Sequence, residues 1–210
     1  MSNQLNDDSL DVLFSKARTN NGWADKPVTD DILRQLYDVI KWGGRSSLNC
    51  SSMRILFLRS QEEKKRLLPA LAPSNVDSTM IAPVTAIIGN DGKFYEQLAR
   101  RFQRTDSRSW FANMPELTRV SARRNSSLQC AYFMIAAYSL GLDCGPMSGF
   151  DDAKVDHEFF PAEQRANFEL EYLPDSHIKT SFLCNLGYGD PAKFYTRDIP
   201  PDFAEAGELL

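Results

Sequence analysis

Histidine is scarce in this sequence, and the side chains that usually build metal or acid–base centres are thinly spread. Only His157 and His177 occur among 210 residues. Both stand in polar surroundings, so we expect them at the surface. The four cysteines, at positions 50, 130, 144 and 184, form no CxxC pair. Zinc sites need clustered Cys and His ligands, so no metal site is expected, and separated thiols fit a reducing compartment.

Other common signatures are missing as well. No GxGxxG or GxxxxGK[ST] motif follows a predicted strand, which argues against a Rossmann fingerprint and a P-loop. The formal net charge of −4 argues against a nucleic-acid or anionic-membrane surface. The start, MSNQLNDDSLDVLF, lacks the basic and apolar regions of a secretory signal. The longest apolar run, around Cys130–Leu142, is too short to span a bilayer. We therefore expect a cytoplasmic protein with no membrane or nucleic-acid partner.

The composition is that of an ordinary globular domain. The hydrophobic fraction is 42% and the charged fraction 25%, both typical of soluble proteins. A chain of this length can bury a substantial core. No repeat, low-complexity tract or linker interrupts it, so we expect one domain over residues 1–210.

Several helices are predicted from apolar spacing and end signals. Leu10–Phe14 shows helical spacing. A second helix begins at the N-cap Thr29 and ends at Gly43–Gly44. Ser60 followed by Glu63 forms a capping box at the start of a third.

Two later helices have opposite character. Tyr95–Phe102 is charged, and we expect an exposed helix there. The longest helix is predicted over Leu117–Leu140, and its second half, LQCAYFMIAAYSLGL, is apolar on all sides. Such a helix must be buried everywhere, either in a large core or against a partner chain.

Strands are fewer than helices. Short apolar runs bounded by turn residues occur at Arg54–Arg59, Val84–Gly89 and Ser181–Gly187, and each predicts a central, largely buried strand. Helices and strands do not alternate strictly along the chain. The order therefore predicts a mixed α+β architecture.

The stretch SLGLDCGPMSGFD, residues 139–151, contains several glycines and a proline just behind the apolar helix. Glycine lets another group approach the backbone closely, and accessible N–H groups can hydrogen-bond a flat heterocycle at its edge. The alternative is a Gly-Pro turn leading into a helix capped by Asp151.

Two polar segments, ARTNNGW and RSSLNCSS, would suit an anion and an amide-rich ligand. Each segment alone is equally consistent with an ordinary helix end or loop.

Together these segments resemble the nitroreductase family of FMN-dependent, NAD(P)H-using oxidoreductases. The resemblance is closest to the branch of malonic semialdehyde reductase and NADH dehydrogenase/NAD(P)H nitroreductases, and it covers nearly the whole chain. The matching segments, in order, are ARTNNGW, NCSS, APVTAII, RSWF, RNSSLQCAY, GLDCGPMSGFD and NLGYGD. The most specific of them is GLDCGPMSGFD.

The resemblance implies a nitroreductase-like fold, with a central, mostly antiparallel sheet flanked by helices. It also implies an intertwined homodimer that packs the long apolar helices across the two-fold axis and binds FMN between subunits. NADH or NADPH would pass hydride to flavin N5 in a ping-pong cycle. A nitro compound, a quinone or a small aldehyde such as malonic semialdehyde would then take the electrons. No catalytic side chain is required by such a cycle.

Carried over by position, the cofactor-binding residues are Arg18, Thr19, Asn21, Arg45, Ser46, Ser47, Asn49, Asn75, Pro146, Met147, Ser148, Gly149 and Arg197. Arg18 and Arg197 would meet the phosphate, and the 46–49 loop would line the phosphate and ring. Asn75 would face the pyrimidine edge. A backbone amide within 147–149 would hydrogen-bond N5.

The sequence also departs from the family pattern at several cationic positions. Asn21, Ser78 and Pro200 stand where relatives often carry lysine or arginine. Arg45, beside Ser46, either replaces the missing positive charge or is an exposed loop arginine that touches only water. The alternative hypothesis is a dimeric member that has lost catalysis and serves as a flavin-binding or interaction protein.

Overall fold

The structure, a computed structural model, describes residues 4–43, 46–102, 106–161, 177–194 and 196–210. The helices are α1 (Asp7–Leu10), α2 (Asp30–Gly43), α3 (Gln61–Leu67), α4 (Pro73–Ile81), α5 (Leu98–Arg101), α6 (Arg108–Ala112), α7 (Pro115–Ser139), α8 (Asp152–Phe159) and α9 (Phe203–Ala206). The strands are β1 (Met53–Leu58), β2 (Val84–Asp91), β3 (Asp143–Met147) and β4 (Ile178–Gly187). This is the predicted α+β architecture.

The four strands form one antiparallel sheet in the order β1-β2-β4-β3. The register places Leu56, Ile87, Leu183 and Met147 in one row across it. The mostly antiparallel sheet is thereby confirmed. The prediction that all three apolar runs are central is wrong for β1, which is a half-buried edge strand of the described sheet.

Helices cover both faces of the sheet. On one face, α2 and α7 pack over alternate strand residues such as Ala86 and Cys184. On the other, α3 and α8 pack over residues such as Ile87 and Leu183. The arrangement follows from the two-residue period of a strand, which sends neighbouring side chains to opposite faces. A third cluster, centred on Phe94, Leu98 and Phe111, lies beside the 46–52 loop.

Local end signals explain where the helices start and stop. The Ser60 side chain accepts a hydrogen bond from the Glu63 N–H, and the Glu63 carboxylate accepts one from the Ser60 N–H, which confirms the capping box. At the end of α7, Gly141 has a φ of +75°. The Gly141 and Leu142 N–H groups donate to the carbonyls of Tyr138 and Ala137, so the chain turns sharply into β3.

The second half of α7 is not buried all round. Cys130 and Phe133 face the core, whereas Leu128 is 50% exposed and Tyr132 40% exposed. Of the two alternatives, burial of every side in the core of one chain is therefore wrong, and an apolar face of this helix is left uncovered in the single chain. Within the described part of the chain, no helix has both the length and the apolar character to cross a membrane.

Candidate functional site

The 145–149 segment forms the end of an edge strand and a short exposed connection. Pro146 and Met147 are half-buried and Ser148 is exposed. Up to Cys144, the outer edge of β3 is paired, because the Asn20 N–H donates to the Cys144 carbonyl (2.9 Å) and Thr19 bridges the same residue. Beyond that point, none of the described residues accepts a hydrogen bond from the N–H of Ser148 or of Gly149. Two adjacent backbone donors are thus left for a ligand or for water.

The glycines of this segment serve the packing of the chain itself. A Cβ added to Gly145 would lie 2.4 Å from the Asn20 carbonyl oxygen. A Cβ added to Gly149 would lie 2.7 Å from the Asn75 amide nitrogen. The sequence offered two alternatives for this segment, accessible N–H groups for a ligand or a Gly-Pro turn into a capped helix, and each holds in part. The glycines let neighbouring segments approach, and Asp151 caps α8 by accepting from the Lys154 N–H, while free donors remain at 148 and 149.

Asn75 holds the exposed connection in place. Its side-chain nitrogen donates to the Gly149 carbonyl at 2.9 Å, and the Ala72 N–H donates to the same oxygen at 2.9 Å. The Asp151 N–H donates to Ala70. The start of α4 and the 148–151 segment are therefore joined by several hydrogen bonds, and Asn75 lies beside the free N–H groups.

Two arginines lie next to the outer edge of β3. Arg18 is half-buried, with its guanidinium carbon 5.7 Å from the centre of the Phe194 ring. Arg197 donates to the carbonyls of Ser15 (2.5 Å) and Ala17 (2.6 Å), which brings it beside Arg18. Asn21 is exposed on the same stretch. Because Thr19 pairs in parallel with Cys144, this positive charge adjoins the start of β3, whereas the free donors follow its end. The arrangement suits an elongated phosphorylated ligand that lies along this edge.

A second group of predicted residues lies in the 46–52 loop. The Ser47 N–H donates to the Asn125 side chain at 2.8 Å, and Ser46 Oγ accepts from the Ser51 N–H at 3.0 Å. Asn49 donates through its side chain to the Arg101 carbonyl at 3.2 Å. Ser47 and Asn49 are exposed. Arg45, the proposed substitute cation, lies outside the described residues.

One chain does not bring the two groups together. The loop precedes β1, while the other group adjoins β3, and these strands are the two edges of the sheet. Three strand spacings separate them, or roughly 14 Å at about 4.8 Å per spacing. The loop also lies beyond Met53, three residues along β1 from the row that contains Leu56 and Met147. The two groups therefore do not form one compact site within a single chain.

A buried charged cluster behind the loop was not predicted. The Asp91 side chain is 3% exposed and pairs with Arg54, and His177 Nε2 lies 3.2 Å from Asp91 Oδ1. His177 is itself buried, so the expectation of two surface histidines is wrong for this one, whereas His157 is exposed.

The charged helix expected at Tyr95–Phe102 is also only partly exposed, since Leu98 is buried and Arg101 half-buried.

The thiols near the site are poor nucleophiles. Burial raises the pKa of Cys50, behind the 46–52 loop, to about 11. Burial also raises the pKa of Cys130, and a hydrogen bond with Cys184 together with burial raises that of Cys144. These three groups stay protonated at neutral pH. The site therefore offers hydrogen-bond donors and positive charge rather than an activated side chain.

Comparisons with known proteins bear on the family and the fold of the chain. No protein-family model matches the chain. A curated protein of Polynucleobacter asymbioticus named "Putative NADH dehydrogenase/NAD(P)H nitroreductase" is 46% identical over 210 residues, covering 100% of both chains.

Solved structures share the fold. A protein of Exiguobacterium sibiricum, described as a "putative nitroreductase in complex with FMN", has a TM-score of 0.77 at 17% identity and covers 100% of both chains. A "putative NAD(P)H:FMN oxidoreductase" of Staphylococcus epidermidis has a TM-score of 0.76 at 16% identity, covering 100% of this chain and 99% of its own.

Proposed function

Because the chain belongs to the nitroreductase family of NAD(P)H-dependent oxidoreductases, we propose that it binds FMN and uses NADH or NADPH to reduce a nitro compound, a quinone or a small aldehyde. The pair of unpartnered backbone donors at Ser148 and Gly149, which follow the β3 edge that Arg18 also adjoins, is the observation that carries the proposal. Malonic semialdehyde, reduced to 3-hydroxypropionate, is one candidate acceptor among the aldehydes.

The residues present fit FMN. Its phosphate needs positive or N–H partners when removed from water, and Arg18 with Arg197 would supply the charge. The N–H groups of Ser148 and Gly149 would donate to the edge of the isoalloxazine ring. Asn75 would act mainly through the Gly149 carbonyl, keeping those donors in place. FMN would supply the hydride and electron chemistry, which protein side chains cannot provide.

We also propose that the working unit is a homodimer of single-domain subunits, with residues 1–210 as one domain. Three observations support it. The predicted ligand contacts lie at opposite edges of one sheet. The α7 face around Leu128 and Tyr132 is uncovered. The C-terminal segment exposes large apolar side chains at Ile199, Phe203 and Leu209. A second copy would cover these surfaces and bring the 46–49 loop to the other subunit's arginines. The cytoplasm stays our prediction for the compartment.

The absorption spectrum of the purified protein tests the proposal. We expect the visible band of oxidised flavin, released on denaturation as FMN, and bleaching of that band when NADH or NADPH is added without oxygen. A nitroaromatic compound or a quinone should then restore it. A protein that FMN does not saturate would contradict the proposal. A flavin-loaded protein that neither nicotinamide reduces would instead support the catalytically inactive alternative.

A further inference from the structure

The 46–52 loop is held in an unusual backbone shape. Leu48, Asn49 and Ser51 have φ values of 53°, 52° and 44°. Residues with side chains rarely adopt this left-handed region, and a conformation of this kind persists only where surrounding contacts impose it. Three such residues within four positions call for a specific cause in the neighbouring structure.

Two arginines provide those contacts. Arg54 Nη1 donates to the carbonyls of Ser51 and Met53, both at 2.9 Å. Arg101 Nη1 donates to the carbonyls of Cys50 and Ser51 at 3.3 and 3.4 Å. The carbonyls of the loop are therefore turned inward onto two guanidinium groups from separate elements, β1 and α5.

Arg54 is itself fixed by a buried carboxylate. Arg54 pairs with Asp91, and their side chains are 11% and 3% exposed. Asp91 Oδ1 also accepts from the Lys93 N–H at 2.7 Å and lies 3.2 Å from His177 Nε2. Burial and the nearby Arg54 charge lower the pKa of Arg101. Placing like charges together in a partly buried site costs free energy unless well-formed hydrogen bonds and ion pairs to those charges offset it.

Four of the loop's backbone N–H groups already have acceptors within the chain. The Ser47 N–H donates to Asn125, the Asn49 and Cys50 N–H groups donate within the loop, and the Ser51 N–H donates to the Ser46 side chain. The exposed side chains of Ser47 and Asn49 are available to a ligand on this loop. The directions of those side chains depend on the left-handed backbone that the arginines hold.

We propose that Arg101, together with Arg54, which pairs with Asp91 beside His177, is a positioning residue that keeps the 46–52 loop in the shape needed to contact the flavin bound by the other subunit. This role rests on the proposed function. If these arginines served only the stability of the fold, substituting them would change the free energy of unfolding alone. A positioning role must also change ligand affinity when the folded protein is otherwise intact.

Substitution of Arg101 tests the proposal, with its neighbour Arg100 as the matched control. Arg100 is exposed and makes no hydrogen bond with the loop. FMN affinity would be measured by flavin fluorescence titration and apo-protein stability by thermal unfolding. We expect Arg101→Gln to weaken FMN about tenfold or more, since hydrogen bonds from a charged donor are lost. Arg101→Lys should recover part of the affinity, because an ammonium can still reach one carbonyl. Arg100→Gln should match the wild type.

Hydrogen exchange supplies a readout that does not require the ligand. The amides of residues 47–51 should exchange faster in Arg101→Gln than in Arg100→Gln, while the rest of the apo protein is unchanged. If Arg101→Gln does not fold, Arg101→Lys carries the test by the same two measurements.

Wild-type FMN affinity in the Arg101 variants would overturn the positioning role while leaving the proposed function intact. A wild-type protein that takes up no FMN would overturn both.

Discussion

At the scale of the residue, two glycines that follow α7, Gly141 and Gly145, have different structural roles. Gly141 adopts a φ of +75° with open space around its Cα, so its requirement is conformational. Gly145 has no such backbone constraint, but Asn20 approaches it closely. The approach pairs Asn20 with Cys144 and thereby holds the Arg18 segment against the start of β3.

The two glycines therefore predict different outcomes for the same substitution. Gly141→Ala should cost about 1–2 kcal/mol, the penalty of a left-handed residue with a Cβ. Gly145→Ala should cost about 1–3 kcal/mol from overpacking and should also weaken FMN, because it pushes the Arg18 segment away from β3. Chemical denaturation and FMN titration of both variants measure the two effects. Equal FMN affinity in the two variants would show that the Asn20–Cys144 pairing does not position the phosphate side.

Local sequence could predict only part of the site. The GPMSG segment stood out because its residue types are unusual for the end of a buried helix. The cluster behind the loop gave no such signal, since Arg54 and Asp91 are 37 residues apart and His177 follows much later. The sequence pattern showed Arg101 as one charge on an exposed helix. Only the fold reveals that its guanidinium faces the carbonyl of Cys50.

At the scale of the element, the start of α3 shows how a cap depends on charge. The Glu63 carboxylate accepts hydrogen bonds from the N–H groups of Arg59 (2.8 Å) and Ser60 (3.0 Å). Both hydrogen bonds lower the pKa of Glu63, and the bond from Ser60 has the larger effect. A lowered pKa in the folded state means that the anion stabilises the fold above the unfolded pKa. That stabilisation is lost as pH falls through the folded value.

Glu63→Gln should therefore destabilise the protein at neutral pH by about 0.5–1 kcal/mol. The difference from the wild type should shrink as the pH falls below about 4.3, the ordinary glutamate pKa. Glu62→Gln is the control, because it removes a negative charge from the same turn without touching the two cap bonds. Urea denaturation of the three proteins across this pH range checks the prediction. A difference that stays constant with pH would exclude the charged cap as its source.

Helix ends were more predictable than strand positions. The Ser60 capping box and the end of α7 at Gly141 are local, and both lie where residue types predicted them. Whether a strand is central depends on which segments pair with it across the whole chain. β1 and β2 are similarly apolar, yet β2 has neighbours on both sides and β1 on one. Apolar content alone could not separate them, particularly if a second subunit covers the half-buried strand.

At the scale of the whole molecule, the proposed site is divided between the two edges of one sheet. Arg18 and the donors at 148 and 149 adjoin β3, whereas Ser47 and Asn49 precede β1. If each ligand is bound by the β3 edge of one subunit and the loop of its partner, then one dimer holds two sites that share no group. If one subunit carries a substitution at its β3 edge and its partner carries a substitution in its loop, both substitutions fall in the same site. The second site then remains intact.

This division predicts that two inactive variants complement each other. Arg18→Ala and the double variant Ser47→Ala/Asn49→Ala should each bind FMN weakly. When equal amounts are unfolded and refolded together, random pairing makes half of the dimers mixed, and each mixed dimer holds one intact site. About a quarter of the wild-type FMN sites should thus return. FMN content after gel filtration at limiting ligand measures the recovery, and each variant refolded alone is the control. No recovery, although differently tagged subunits are shown to have exchanged, would mean that each site lies within one chain.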